Sequence, residues 1–262
     1  MTIGLFILIT LFGILVGVLS GMFGIGGGTL MIPLLNLVFR LPILTATATS
    51  LLVIAPTSLS GAWRHVRQGS VDVRAAVLIG LSGAVASVFS SFSADRLPSI
   101  VILAVVVIVI LYSAVSVIKG ALGAVLVEEG DAPARFTTRQ SRAIACVCLG
   151  LFAGAVSGIA GVGGGFIIVP IGIAYFGYAF KKASGTSLLA IAFIAVPGII
   201  THALLGHIWY LGGVALILGT MPGAYLGAHL ITKVPERAAR LAFGVLLVMS
   251  GALLIANRVL TG

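Results

Sequence analysis

The sequence predicts an all-α integral membrane protein made of two inverted-topology repeats, each of about five apolar segments, with broken or re-entrant helices at glycine-rich motifs. Composition, an internal repeat and the lengths of the apolar stretches predict it. Of 262 residues, 60% are hydrophobic and 8% charged, and the mean hydropathy is +1.27. Soluble domains carry about 25% charged and about 45–50% apolar residues. No soluble core of this length could hide so much apolar surface. In a soluble chain the net charge of +9 would point to nucleic acid; here it fits basic loops beside a membrane, and no nucleic-acid partner is expected.

The repeat is read from SGMFGIGGGTLMIP, beginning at Ser20, and SGIAGVGGGFIIVP, beginning at Ser157, 137 positions later. At that offset Gly17, Ser20, Gly21, Gly24, Gly26, Gly27, Gly28 and Pro33 fall on identical residues, eight of seventeen positions. The same offset pairs Thr49-Ser50 with Thr186-Ser187, His65 with His202 and Pro98 with Pro235. Chance apolar similarity would not align glycines, a histidine and prolines together, so the halves are a duplication. The expected division is residues 1–118, a cytoplasmic linker at 119–141, and 142–262. The linker is the one long polar stretch and holds three of the six acids.

In order, the apolar stretches of the first half are 3–23, 29–39, 45–63, 73–93 and 98–118. Those of the second are 142–160, 166–178, 184–205, 208–230 and 238–256. The first begins MTIGLFILIT, which lacks a basic leader and reads as a retained membrane segment. Most stretches approach the roughly 20 residues a helix needs to cross a bilayer. The second of each half is about a dozen, the length of a re-entrant half-helix, so stretches one and two form a hairpin with the glycines at its tip. If the hairpin returns to its own side, twelve Lys and Arg fall on one face and three on the other. If it crosses, the split is eight against seven. Positive charge collects on the cytoplasmic side, so the twelve-to-three arrangement is expected, with both termini outside and the linker inside. It also makes the halves inverted.

Three successive glycines suit a helix poorly. Irregular backbone at membrane depth survives only when packed in protein or lining a watery cavity. Each break is followed by a short helix whose first amides are free and whose dipole end is positive. Gly26, Gly27 and Gly28, with Gly163, Gly164 and Gly165, would therefore aim two helix starts at one anion. Close helix packing is the competing use, and it suits Gly17, Gly21 and Gly24. Hydroxyls of Thr49, Ser50, Thr186 and Ser187 would face the cavity, cap their own helix or pair helices.

The doubled GxGGGxxxxP, each copy followed by TATS at 47–50 or SGTS at 184–187, resembles the sulfite exporter TauE/SafE family, also called toluene sulfonate uptake permeases. The resemblance covers essentially the whole chain. It implies a plasma-membrane transporter of sulfite, sulfonates or related sulfur-containing anions. A non-sulfur anion or a lipid-linked substrate is the alternative.

Among charged residues, Arg64 is the best candidate for a substrate contact, with His65 and His202 as proton or substrate contacts; interface anchoring is the bland alternative. No acid lies deep in an apolar stretch, so no buried carboxylate is offered for proton coupling. Cys146 and Cys148, two apart on one helix, read as packing residues rather than a disulfide or metal pair. No metal and no cofactor are expected. The partners are a small anion and the bilayer, and a homo-oligomer is compatible with the sequence. Gly80-Leu81-Ser82-Gly83 matches the serine motif of intramembrane proteases, but a four-residue match in a chain of 35 glycines is weak.

Overall fold

The computed structural model describes residues 3–94, 99–123 and 138–261. The helices are α1 (Ile3–Phe23), α2 (Gly28–Leu37), α3 (Ile43–Arg67), α4 (Val73–Ala94) and α5 (Ser99–Gly123), then α6 (Arg139–Ala160), α7 (Gly165–Phe176), α8 (Phe180–Leu204), α9 (Tyr210–Leu230) and α10 (Glu236–Thr261). Among the described residues six helices are long and apolar enough to cross a membrane: α1, α3, α4, α6, α8 and α9. The bundle is apolar outside, and its interior is a largely apolar core with buried hydroxyls set into it. On α4, Phe89 is 71% exposed while Ser87 and Ser91 are fully buried.

The helix order matches the ten apolar stretches. The linker differs at both edges, because α5 continues to Gly123 and α6 starts at Arg139. The Thr138 hydroxyl accepts from the Ser141 amide and starts α6 ahead of the apolar run. The remainder of the expected linker, residues 124–137, lies outside the described residues.

Packing repeats with the sequence. α1 runs parallel to α9: Gly13 faces Gly219, Gly17 faces Thr220 and Gly21 faces Ala224. Its image is α6 on α4: Gly150 faces Ile79, Gly154 faces Gly83 and Gly158 faces Ser87. Small residues let these backbones touch. α3 packs antiparallel to its own equivalent α8, with Gly198 beside Leu51, Leu188 beside Gly61 and Gly185 beside His65. α5 and α10, again equivalents, are antiparallel too, with Gly244 beside Ile118 and Gly251 beside Ile110.

Each half opens with a hairpin. α6 starts and α7 ends at one end of the bundle, where Arg142 donates to the Tyr178 hydroxyl at 2.8 Å. α1 and α2 share the other end, where Phe39, just past α2, meets Trp209 at the start of α9. The ends of α3 and α5 and the starts of α4, α6, α8 and α10 gather the basic side chains at the first of these ends. There Phe180, opening α8, donates its amide to Glu236, opening α10.

The two ends are closed by different chemistry. At the basic end the Asp72 carboxylate accepts from Arg142 at 2.8 Å and from the Tyr178 hydroxyl at 2.9 Å, and it caps α4 through the Ala75 amide. At the other end the equivalent positions, 137 away, are Trp209, Leu5 and Leu41. Burial acts to raise the Asp72 carboxyl, but the Ala75 and Tyr178 hydrogen bonds and the Arg142 and Lys182 charges outweigh it and hold the group below its usual 3.8. Burial, above all, pushes the Tyr178 phenol up, so it stays a donor.

Two predictions follow from this packing. Gly154→Leu would drive a side chain into the Gly83 backbone and cost about 1–3 kcal/mol or more, read as a lower melting temperature in detergent. Because the Asp72 carboxyl is depressed on folding, its contribution is complete above its ordinary value and lost as pH falls through the folded one. Melting curves between about pH 6 and about pH 3 should therefore show an acid-dependent loss that Asp72→Asn lacks.

Candidate functional site

The two glycine loops meet in the middle of the bundle. Gly26 and Gly163 both lie against Ile54 and Ile191, themselves repeat equivalents at mid-length of α3 and α8. A Cβ on Gly28 would stand 2.8 Å from the Val162 Cα, and one on Gly165 would stand 2.6 Å from the Ile25 Cα. Only glycine permits that approach. The preceding glycines are fixed by conformation: Gly26 and Gly27 have φ of 72° and 86°, Gly163 and Gly164 have 86° and 75°. These are left-handed values that other residues adopt at a cost. The triple glycine thus joins two different needs.

α2 and α7 leave this meeting point toward opposite ends, so their starts face one another. The Gly27 carbonyl accepts from Leu30 and Met31, which puts the Gly28 and Thr29 amides ahead of the helical ladder. The Gly164 carbonyl accepts from Ile167 and Ile168, leaving Gly165 and Phe166 in the same position. Neither cap residue has a side chain to serve these amides. Around them lie four fully buried hydroxyls that make no hydrogen bond among the described residues: Ser20, Thr29, Ser58 and Ser157. Ser20 and Ser157 are repeat equivalents whose carbonyls receive the Gly24 and Gly161 amides, at the two helix ends. Ser58 Oγ lies 3.2 Å from a Cβ built on Gly26. An unpaired buried hydroxyl costs about 1–3 kcal/mol, so four around one point call for a reason.

The other predicted residues occupy a surrounding layer. Ser50 donates to the Gly161 carbonyl at 3.2 Å, and Ser187 to the Gly24 carbonyl at 2.8 Å. Each half thereby holds the other's loop. Thr49 accepts from the Trp209 amide and Thr186 from the Asp72 amide, both at 3.0 Å. These threonines cap neighbouring helices rather than their own. They lie in the second turns of α3 and α8, whose cap positions are Pro42 and Ala179.

Arg64 lies six residues past Ser58, about 9 Å farther along α3. Its guanidinium turns to α9, donating to His229 at 2.8 Å and lying over the Tyr225 ring at 5.3 Å. It does not join the loops. His65 is fully buried and bridges the Gly21 carbonyl and the Ser70 hydroxyl, at 3.1 and 3.0 Å, tying the α1 hairpin to α3. His202, its buried equivalent, meets His207, which stands at the position of Ser70, at 3.5 Å. Ser82 donates to the Leu78 and Ile79 carbonyls in the α4–α6 seam, and no histidine bonds to it.

The comparisons with known proteins accord with this architecture. The family model for sulfite exporter TauE/SafE matches residues 9–254. The chain belongs to the sulfite exporter TauE/SafE family. Its curated relatives include the probable membrane transporter protein YdhB of Bacillus subtilis, 32% identical over 95% of this chain and 99% of the relative. Another is the probable membrane transporter protein MJ0441 of Methanocaldococcus jannaschii, 26% identical over 95% of this chain and 94% of the relative. No solved structure matches the chain significantly. The protein is a multi-pass membrane transporter of this family.

Ser187→Ala should free the Gly24 carbonyl and cost about 1 kcal/mol, and Ser50→Ala the same at Gly161, each measurable as a lowered melting temperature in detergent.

Proposed function

We propose that this protein is a secondary transporter that moves a small anion, sulfite or an organic sulfonate, across the cell membrane by alternating access of two inverted halves. The observation that carries the reading is the meeting of two helix N-termini at one central point, ringed by unpaired buried hydroxyls. Four leading amides and the Ser20, Thr29, Ser58 and Ser157 hydroxyls are all donors, and the positive ends of α2 and α7 converge there. Donors from every side, with no acid nearby, suit an oxyanion. Gly26–Gly28 and Gly163–Gly165 supply the backbone, while Ser50 and Ser187 brace it. Sulfur chemistry comes from the family's name; a non-sulfur oxyanion would use the same donors.

The inverted relation is supported by α3 and α8, and α5 and α10, each running against its equivalent. The halves then rock about an axis in the membrane plane. The basic end faces the cytoplasm under the positive-inside rule, which sets both termini outside and residues 119–141 inside.

The test is a melting-temperature series on the purified protein with sulfite, methanesulfonate, taurine and matched carboxylates, since a ligand that binds the folded state raises its melting point. Ser20→Ala and Ser157→Ala should fold normally, having lost no bond, yet weaken binding about fivefold each. Gly27→Val and Gly164→Val should insert in the membrane and lose the binding that the serine variants weaken. Unchanged affinity in both serine variants would sink the cradle; response to carboxylates alone would move the substrate class away from sulfur.

A further inference from the structure

We propose that the pocket beside Arg142, at the basic end between the starts of α4 and α6, is a second anion site, in which a small oxyanion takes the place of Asp72 on the Arg142 guanidinium. The duplicated sequence supplies the control. The positions equivalent to Asp72, Arg142 and Tyr178 are Trp209, Leu5 and Leu41, whose side chains are uncharged and pack against the core, the hydrogen bonds of Trp209 and Leu41 there being made by their backbone groups. Closing this fold therefore does not require a charged triad. An ion pair is also a poor source of stability where half-exposed, and Arg142 and Asp72 keep 39% and 22% of their side-chain surface.

The pocket has a volume of about 690 Å³ and is lined by Arg74, Arg139, Arg142, Thr138 and Asp72. Three arginines and one carboxylate share the lining, Arg142 paired directly with Asp72, and two helix starts point their positive ends the same way. Arg142 and the Tyr178 hydroxyl both direct hydrogen bonds to one carboxylate oxygen, Asp72 Oδ2. A sulfate or sulfonate oxygen is an acceptor of the same kind, and arginine's fork favours such groups. Released from Arg142, Asp72 keeps its other bond, to the Ala75 amide, so α4 remains capped. The exchange breaks the bonds that tie Asp72, at the start of α4, to Arg142 on α6 and to Tyr178 in the α7–α8 turn, and so frees the start of α4 to move as an inward opening requires.

This site is separate from the glycine loops. Nineteen residues of α6 divide Arg142 from Gly161, about 28 Å of helix. It rests on the anion reading only in the choice of probe.

The experiment titrates the full-length protein in detergent with inorganic sulfate, against chloride at equal ionic strength, reading melting temperature. Wild type should be stabilised by sulfate beyond chloride. Asp72→Asn removes the competing carboxylate and should lower the half-saturating sulfate about fivefold. Arg142→Gln should abolish the response; should that variant not fold, Arg142→Lys, which keeps charge but not the fork, should weaken it about fivefold. Gly164→Val should leave it intact. Equal effects of sulfate and chloride, an unchanged midpoint in Asp72→Asn, or a response that survives Arg142→Gln would each overturn the proposal. A response lost in Gly164→Val would assign sulfate to the central loops, overturning this site and not the proposed function.

Discussion

Two stretches of non-helical backbone must be made tolerable in the middle of an apolar bundle, and the rest of the molecule follows from how that is done. Peptide groups with no water nearby need partners. The Gly24 carbonyl finds Ser187, and the Gly161 carbonyl finds Ser50, each on the opposite half. Each loop is braced by the opposite half. The duplication is thus part of how the fold is held as well as a record of its origin. It also explains the small-residue seams of α1 on α9 and α6 on α4, since the hairpins must be carried deep into the bundle by helices packed at backbone distance.

The repeat separates what the fold needs from what it does not. Features present in both halves, such as the positive-φ glycines, the serine struts, the threonine caps on α9 and α4, and the buried His65 and His202, belong to the architecture. The charged features without a repeat counterpart lie at the ends: the Asp72 cluster, Arg64 with Tyr225 and His229, and the basic helix starts. Their asymmetry is what a transporter needs to tell one side of a membrane from the other. At the centre the backbone loops and the Ser20 and Ser157 pair are symmetric, while Thr29 and Ser58 fall on Phe166 and Ala195 and make the ring of hydroxyls one-sided.

The sequence made much of this legible. Ten apolar stretches at the right places, and two short ones, came from hydropathy and length, because lipid imposes a simple rule on both. The meeting of the glycine loops was legible because the motif was written twice. The roles of Thr49, Ser50, Thr186 and Ser187 were not: a hydroxyl on an apolar helix reads the same whether it caps a neighbour or lines a cavity. Arg64 looked like a central charge because it ends an apolar run, yet its side chain is long enough to reach α9. Ser20 and Ser157 could have been found, being polar and repeated. Asp72 and Arg142 could not, since they are 70 residues apart and neither has a repeat partner.

The central donors are neutral, and that bears on how a carrier must work. A guanidinium about 4 Å from an anion is worth about 4 kcal/mol at an effective dielectric of about 20. A helix terminus gives about 0.3–1 kcal/mol, up to about 2 when partly buried. Two termini and a few hydroxyls can select an oxyanion through geometry and still release it. A central arginine would hold the same ion harder and slow its departure. In the proposed alternating access, a site built from backbone would move as a unit with its hairpin, so its donors would stay aligned. Charge is instead concentrated at the basic end, where solvent screening would let it gather the proposed anions without trapping them.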